Sequence, residues 1–461
     1  MKQIISNLIE PKQTLSKDQQ IFTNLDLRKL IIPLFLEQLL EVFVGVVDTF
    51  MISYAGEAAV SGVSLVNMFN TVFIFLFAAL ASGGAVVVSQ YIGSKDRKNG
   101  SFSAGQLVTV ALVFSTMIML VVLSFNRQLL RLLFGEVEHD VMNACITYLR
   151  ISAYSYPAIA VYNSGAAIYR SMGKTNVTMY LSVISNVINI IGNAIGVFVL
   201  HQGVAGVAYP SLIARSFSAV VIMILCFRRK NVVFLEMKNL VCWNRDMVHR
   251  ILGIAVPNGI ENGLFQLVKV ALSSITALFG TVQIAANGVA QSFWSLAALM
   301  GTAMGLAFVT VIGQCMGAGD IKAAEYYTKK LLKITLFASI LWNLLIFLAA
   351  PIVLRGYAVS DETARLVVIL ILIHNVFNAL FYPLSGALAN GLRAAGDVKF
   401  TMYVSIFSTI ACRVLFSVIF AIWFQMGVIG VTFAMCLDWG LRACLFWKRF
   451  RSGKWKDFQV I

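Results

Sequence analysis

The stretch from Pro33 to Asp96 is written twice in this chain, and no other feature limits the possible folds so strongly. The first copy opens Pro33-Leu34-Phe35-Leu36-Glu37 and the second Pro257-Asn258-Gly259-Ile260-Glu261. A constant offset of 224 then pairs Gly56 with Gly280, Asn67 with Gln291, Gln90 with Gln314, Gly93 with Gly317 and Asp96 with Asp320. At an offset of 223, Arg170 pairs with Arg393, Gly173 with Gly396, and Thr178-Met179-Tyr180 with Thr401-Met402-Tyr403. Gly203-Val204-Ala205-Gly206 answers Gly427-Val428-Ile429-Gly430, again at 224. The chain is two related halves, and any structure proposed for one must suit the other.

Each half belongs in lipid. Hydrophobic residues make up 59% of the chain and charged residues 12%, against about 25% charged in a soluble domain. The apolar runs are about 20 residues long, the length of a membrane-crossing helix, whereas barrel strands would alternate over about ten. The expected architecture is an all-α polytopic membrane protein with twelve transmembrane helices in two pseudo-symmetric six-helix lobes. The spans are expected near residues 28–53, 60–89, 102–125, 142–169, 175–200, 204–227, 248–278, 283–312, 331–354, 363–390, 398–424 and 428–448. This gives an N-terminal segment (1–27), an N-lobe (28–227), a polar linker (228–247), a C-lobe (248–448) and a C-terminal tail (449–461). Residues 1–26 are polar and mixed in charge, without the apolar core of a removable signal peptide. The seven cysteines have no metal-ligand spacing and sit mostly in apolar runs, so they read as small apolar side chains.

The net charge of +15 invites a nucleic-acid role until its placement is read. Of 36 Lys and Arg, 27 fall in the two termini, the central linker and the loops after even-numbered spans. The opposite loops hold only Arg127, Arg131, Arg355 and Arg365. Basic residues collect on the cytoplasmic side, so both termini and the linker are expected there, in a plasma-membrane protein with no nucleic-acid partner. Six spans per half means both halves insert in the same orientation, a parallel repeat about an axis along the membrane normal.

Charged and amide side chains at membrane depth are costly and need a reason. The first span carries Glu37, Glu41 and Asp48, which fall within about 40° of one another on one helix face. Glu37 and Glu41 are expected near the cytoplasmic end, either functional or merely paired with basic residues of neighbouring helices. Asp48 is deeper, has no basic residue nearby in sequence, and is the stronger functional candidate. Asn186, Asn189 and Asn193 share a face of the fifth span, as interhelical hydrogen bonds or as part of a polar pocket with Asp48. The second half replaces this pattern with Glu261, Lys269, His374, Asn378, Arg413, Asp438 and Arg442. Asp438 and Arg442 have the i, i+4 spacing of a helical ion pair, and the signs are nearly balanced, so a structural charge network is expected. His374 is expected to hydrogen-bond, since none of the four histidines sits in a metal motif. Pro157 and Pro383 lie inside spans and would free a carbonyl and permit bending. Gly259/Gly263, Gly301/Gly305 and Gly313/Gly317 have the small-xxx-small spacing of close helix packing.

Pro33, Val47-Asp48-Thr49, Gly56 and Gln90-Tyr91-Ile92-Gly93 resemble the first two helices of multidrug and toxic compound extrusion (MATE) transporters. Pro257, Ala285-Ala286-Asn287 and Gln314-Cys315-Met316-Gly317-Ala318-Gly319-Asp320 resemble helices 7 and 8. The likeness runs from about residue 28 to 450, and is similar to the bacterial DinF-like and NorM-like exporters. It implies a two-lobed, twelve-helix secondary transporter that exports cationic, amphipathic compounds in exchange for protons or sodium. In the proton-linked branch an aspartate of helix 1 binds the ion, and Asp48 matches it. An asparagine and, four residues on, an aspartate of helix 5 complete that site; Asn189 matches the first, and Asn193 stands in place of the second. In the sodium-linked branch a glutamate lies eight residues after the helix 7 proline; here that position is Phe265, with Glu261 one turn earlier. The coupling ion stays open between the two. A drug path lined by aromatic and apolar side chains would draw on Phe69, Phe73, Phe77, Phe293 and Trp294, each of which also suits a helix core.

Two other readings compete. A lipid-linked oligosaccharide flippase of the same superfamily would line its cavity with arginines and add spans beyond twelve; only Arg150, Arg215, Arg413 and Arg442 are candidates here. An intramembrane enzyme or receptor would need a catalytic motif or a signalling domain, and the chain has no HExxH, paired catalytic aspartates or phosphate-binding glycine loop. The expectation is therefore a transporter and not an enzyme, without cofactor or metal, acting as a monomer on small amphipathic molecules among membrane lipids.

Overall fold

The computed structural model describes residues 10, 11, 15, 19–135, 138–356 and 360–461, and these are helices joined by short turns. Lys2, Lys12 and Lys17, counted above with the basic side, lie outside the described residues. The chain forms two compact units: Ile32–Gly259, and Ile260–Ile461 together with the residues up to Ile31. The first contains most of α1 (Asn24–Ser53), then α2 (Glu57–Gly93), α3 (Arg97–Phe134), α4 (His139–Tyr154), α5 (Tyr156–Ser171), α6 (Thr175–Ala194), α7 (Ala205–Cys226), the short α8 (Met237–Val241) and the start of α9 (Arg245–Ala277). The second contains the rest of α9, then α10 (Thr281–Gly317), α11 (Ile321–Leu354), α12 (Asp361–Tyr382), α13 (Leu388–Ala394), α14 (Val398–Ser408) and α15 (Gly427–Arg451).

Ten helical segments among the described residues are long and apolar enough to cross a membrane. The other two expected spans depart for physical reasons. The span expected over 142–169 is broken at Ser155 into α4 and α5, of 16 residues each. Pro157 then falls in the first turn of α5, where a missing N–H costs nothing. Helix α9 has 33 residues, ample length for the hydrocarbon at about 1.5 Å per residue, but Arg245, Asp246, Arg250, Glu261 and Lys269 interrupt its apolar character. The span expected over 363–390 widens at Pro383 into a π-helical turn, Pro383–Ala387, before continuing as α13. The ring cannot supply the N–H that a regular α-helix requires there.

The sequence duplication recurs as duplicated geometry. Left-handed backbone occurs at Gly56 and Gly280, Lys95 and Gly319, Gly173 and Gly396, His201 and Gln425, and Gly203 and Gly427, each pair at the repeat offset. Asp96 caps α3 by accepting from the Asn99 N–H at 3.0 Å, and Asp320 caps α11 by accepting from Ala323 at 2.8 Å. That Asn99 backbone donor holds the Asp96 carboxyl below the usual carboxylate range. π-Helical turns close α6 at Ile195–Val199 and recur at Val418–Trp423. The repeated Gly206 and Gly430 explain their own retention. A Cβ on Gly206 would lie 2.6 Å from the Gly196 carbonyl oxygen, and one on Gly430 would lie 2.7 Å from the backbone nitrogen of Ala421. Each glycine lets the next helix cross directly over a π turn, and no larger residue fits.

The stretch expected as the linker, residues 228–247, is docked on α3. Gln106, fully buried on α3, donates to the carbonyls of Asn239 at 2.9 Å and Cys242 at 2.5 Å, and accepts from the Asn244 N–H at 3.0 Å. Thr109 donates to the Leu240 carbonyl at 2.8 Å, and Arg97 to Val232 at 3.2 Å. Val233 and Leu235 are buried. A buried glutamine is stable in an apolar helix only when its amide is satisfied, and the linker backbone satisfies it. Gln106→Ala removes three hydrogen bonds at once, at about 1 kcal/mol or more each. Hydrogen exchange is then expected to accelerate over residues 235–244 while α2 and α3 keep their protection; unchanged exchange in this stretch would contradict docking through Gln106.

Candidate functional site

Helix α6 presents its asparagines at i, i+4 spacing on a buried face. In the first unit this face meets α1 and α7. The Asn193 amide donates to Asp48 Oδ1 at 2.7 Å and to Asn189 Oδ1 at 3.2 Å, and Asn189 donates to Ser211 Oγ of α7 at 2.9 Å. Asn193 is wholly buried, so its amide is organised around the carboxylate with little competition from solvent. Four residues from three helices, Asp48, Asn193, Asn189 and Ser211, thus form one polar chain ending in an acid. Asn186 does not join it: its buried amide nitrogen has no hydrogen-bond partner among the described residues.

The surroundings of Asp48 include a group that the sequence singled out only as a possible cavity arginine of a flippase. Arg215, one turn beyond Ser211 on α7, donates to Ser155 Oγ at 2.8 Å, at the break between α4 and α5. Its charge reaches Asp48, Tyr148 and Tyr156. Tyr148 donates to Asn67 at 3.1 Å and Tyr156 to Asn70 at 2.7 Å, extending the polar core onto α2. Asp48 has no basic residue nearby in sequence, and the nearest cation in its surroundings comes from another helix. An arginine inside an apolar span, as Arg215 is, was the available signal.

The two cytoplasmic-side acids separate. Glu37 is fully buried and held by Arg170 at 2.5 Å and by the Thr178 hydroxyl, which donates at 2.8 Å. Glu37 is thus paired with a basic residue of a neighbouring helix, one of the two arrangements expected for it. Glu41 is exposed at the helix surface, with Gln38 donating to it at 3.4 Å. The repeat-related pair forms in the second unit: Arg393 donates to Glu261 at 2.5 Å. Both arginines were counted above as loop cations; each instead enters its own unit to meet the glutamate at the equivalent place.

Arg413, Asp438 and Arg442 of the second unit lie together. Asp438, fully buried, pairs with Arg442 at 2.8 Å and with Arg413 at 3.3 Å, and accepts from the Ser408 hydroxyl at 2.5 Å. Arg442 also donates to Thr409 at 2.5 Å and lies 3.7 Å from Glu261. Arg413 covers the ring of Phe265 at 4.6 Å. The π-helical stretch Thr409–Leu415 brings Thr409 and Arg413 to this face of α15. Lys269 stays outside: it is exposed, forms no ion pair among the described residues, and its charged neighbour is the cation Arg413. His374 is stacked flat on Trp294 at 4.9 Å and edge-on to Trp439 at 5.1 Å, with Asn375 at 3.4 Å. Asn378 accepts from Asn343 at 3.1 Å. Among the described residues no group of three or more His, Cys, Asp or Glu could hold a metal.

The five aromatic candidates also part company. Phe77 is buried against Phe114 and Tyr156, and Phe293 and Trp294 belong to an apolar core with Ala297, Val367 and Ile371. Phe69 and Phe73 are half-buried and edge-to-face at 4.9 Å, with Phe73 leading to Tyr156 at 5.3 Å.

Known proteins carry the same pattern. The MatE family model matches residues 33–195 and again 257–419, the two halves of the repeat. The uncharacterized transporter YisQ of Bacillus subtilis is 25% identical over 92% of this chain and 93% of its own length. The probable multidrug resistance protein NorM of Thermotoga maritima is 24% identical over 98% of this chain and 97% of its own. Among solved structures, the outward-facing conformation of a multidrug resistance MATE family transporter superposes with a TM-score of 0.88 at 21% identity, covering 97% of this chain and all of that one. A crystal structure of MATE in complex with MaL6 gives 0.87 at 21% identity over 94% of this chain and 97% of that one.

Proposed function

We propose that this chain, which belongs to the MatE family and is therefore a membrane transporter and not an enzyme, exports cationic or amphipathic small molecules against a proton or sodium gradient. The observation that carries this reading is the Asp48–Asn193–Asn189–Ser211 chain inside the first unit. Uphill export needs a site whose ion occupancy changes the preference between inward- and outward-open states. A carboxyl fixed by a buried amide at membrane depth is such a site. Asp48 takes the ion; Asn193 orients it through the 2.7 Å bond; Asn189 and Ser211 hold Asn193 in turn. In the second unit the acids are already matched by arginines, so Glu261 and Asp438 serve as scaffold and the coupling is assigned to the first unit. Half-buried Phe69 and Phe73 offer apolar faces that hold a cation without demanding one shape.

The flippase reading would need a cavity lined with arginines free to meet a pyrophosphate. Of the four candidates Arg413 and Arg442 are held by Asp438, which leaves Arg150 and Arg215, too few for such a lining. The deciding experiment is transport by the purified chain in proteoliposomes, with pH and sodium gradients imposed separately. Drug export driven by either gradient supports the reading; none with either overturns it.

The orientation follows from the basic residues, with both termini and residues 228–247 in the cytoplasm of a plasma-membrane protein. A cysteine in place of Asn239 is expected to resist a membrane-impermeant maleimide in sealed cells and to react after permeabilisation with mild denaturant. Labelling in sealed cells would reverse the topology.

A further inference from the structure

A cleft of about 690 Å³ opens on the second unit, a size typical of small-molecule sites. Its walls come from α11, from the π-helical turn after α12, from α15 and from the C-terminal turn Lys454–Asp457, with Pro11 at one edge. Its chemistry is divided along its length. One end carries Lys329, Lys333, Arg451 and Lys456, with Glu325 as the only lining acid. The other end is Leu336, Leu380, Pro383 and Leu384, of which Leu336 and Leu380 are 38% and 47% exposed. Leu336 lies seven residues beyond Lys329, or about 10 Å deeper along α11.

Two charges at the basic end, Lys333 and Arg451, are not cancelled by an acid among the described residues. Glu325 accepts from Lys329 at 2.6 Å and from Lys456 at 2.7 Å, and these two cations are already engaged. Lys333 donates to the backbone carbonyl of Glu10 at 2.7 Å, a neutral partner. Arg451 lies over the ring of Trp447 at 5.3 Å, also neutral. The Glu10 carboxylate is engaged by Lys330 and Tyr326 and leaves these two cations alone. A surplus of positive charge at the mouth of an apolar groove, on the basic side of the protein, matches an anion that carries its own hydrocarbon.

We propose that this cleft binds an anionic phospholipid of the leaflet on the basic side, its phosphate between Lys333 and Arg451 and one acyl chain along Leu336, Leu380 and Leu384. The site lies outside the ion-coupling chain of Asp48 and does not depend on the identity of the exported compound.

The test is native mass spectrometry of the full chain released from vesicles of phosphatidylglycerol and phosphatidylcholine in equal amounts. One tightly held phosphatidylglycerol is expected, in preference to phosphatidylcholine. Lys333→Gln with Arg451→Gln removes two cations that have no acid partner here, so no carboxylate is orphaned; roughly 25-fold weaker retention is expected, about fivefold per cation. Leu380→Trp, which fills the apolar end, should displace the lipid while the basic end stays intact. Lys95→Gln with Lys98→Gln, an equal charge change elsewhere on the basic side, should leave retention unchanged. Equal retention of the two lipids, or equal loss in the Lys95/Lys98 variant, overturns the proposal. Displacement of the lipid by inorganic phosphate at millimolar concentration would make this a free-phosphate site and overturn it as well.

Discussion

Proteoliposomes carrying Asp48→Asn are expected to bind drug as the wild type does and to lose gradient-driven export altogether. The substitution is nearly isosteric, and the new Oδ1 still accepts from Asn193, so the 2.7 Å hydrogen bond survives. Stability should change by about 1 kcal/mol or less, the net worth of one exchanged hydrogen bond. What disappears is the only charge on the chain from Asp48 to Ser211, and with it the ability to take up and release an ion. Binding measured in detergent and transport measured across a gradient therefore separate. Asn193→Asp is the reciprocal experiment. It sets a second carboxyl within a hydrogen bond of the first, where two like charges cannot both persist, and should shift the pH dependence of export. Export by Asp48→Asn at the wild-type rate would remove Asp48 from the coupling mechanism.

The largest effect on stability is expected at the buried ion pair of the first unit. Glu37→Leu leaves Arg170 inside the protein without its carboxylate, which costs about 3–5 kcal/mol. Replacing both partners, Glu37→Leu with Arg170→Met, removes the stranded charge and should recover most of that loss. Thermal unfolding in detergent reads the difference directly. If the single and double variants unfold together, the pair is not the energetic unit. The equivalent change at Glu261 strands Arg393 in the same way, while Arg442, 3.7 Å from Glu261, keeps Asp438 at 2.8 Å.

Much of this was legible before any coordinates. Composition called for membrane helices, and the 224-residue offset anticipated the paired caps at Asp96 and Asp320 and the paired left-handed turns. Helical spacing put Asn189 and Asn193 on one face, and Asp438 beside Arg442. What spacing cannot report is the partner on another helix. Arg170 looked like a loop cation because it stands near a polar turn, yet it reaches back to Glu37 on α1. Arg215 lies 167 residues from Asp48 and became its neighbour only when α7 packed beside α6. Lys269 shares a helix with Glu261 and faces no acid. The polar composition of residues 228–247 announced a loop, but the carbonyls that dock it on Gln106 are backbone groups, present in every sequence and therefore silent. Two of the π turns were equally hidden, since the glycines that pack against them, Gly206 and Gly430, lie on the next helix.

The covalent path between the two compact units runs through helix. The divisions fall at Ile31/Ile32, inside α1, and at Gly259/Ile260, inside α9. Residues 228–247, which a reader of the sequence would choose as the pivot, are fastened within one unit. Two helices therefore carry the chain from one unit to the other. Pro33 and Pro257 stand within two residues of the divisions, and each leaves one carbonyl of its helix without the usual N–H, so the notch in hydrogen bonding is itself part of the repeat.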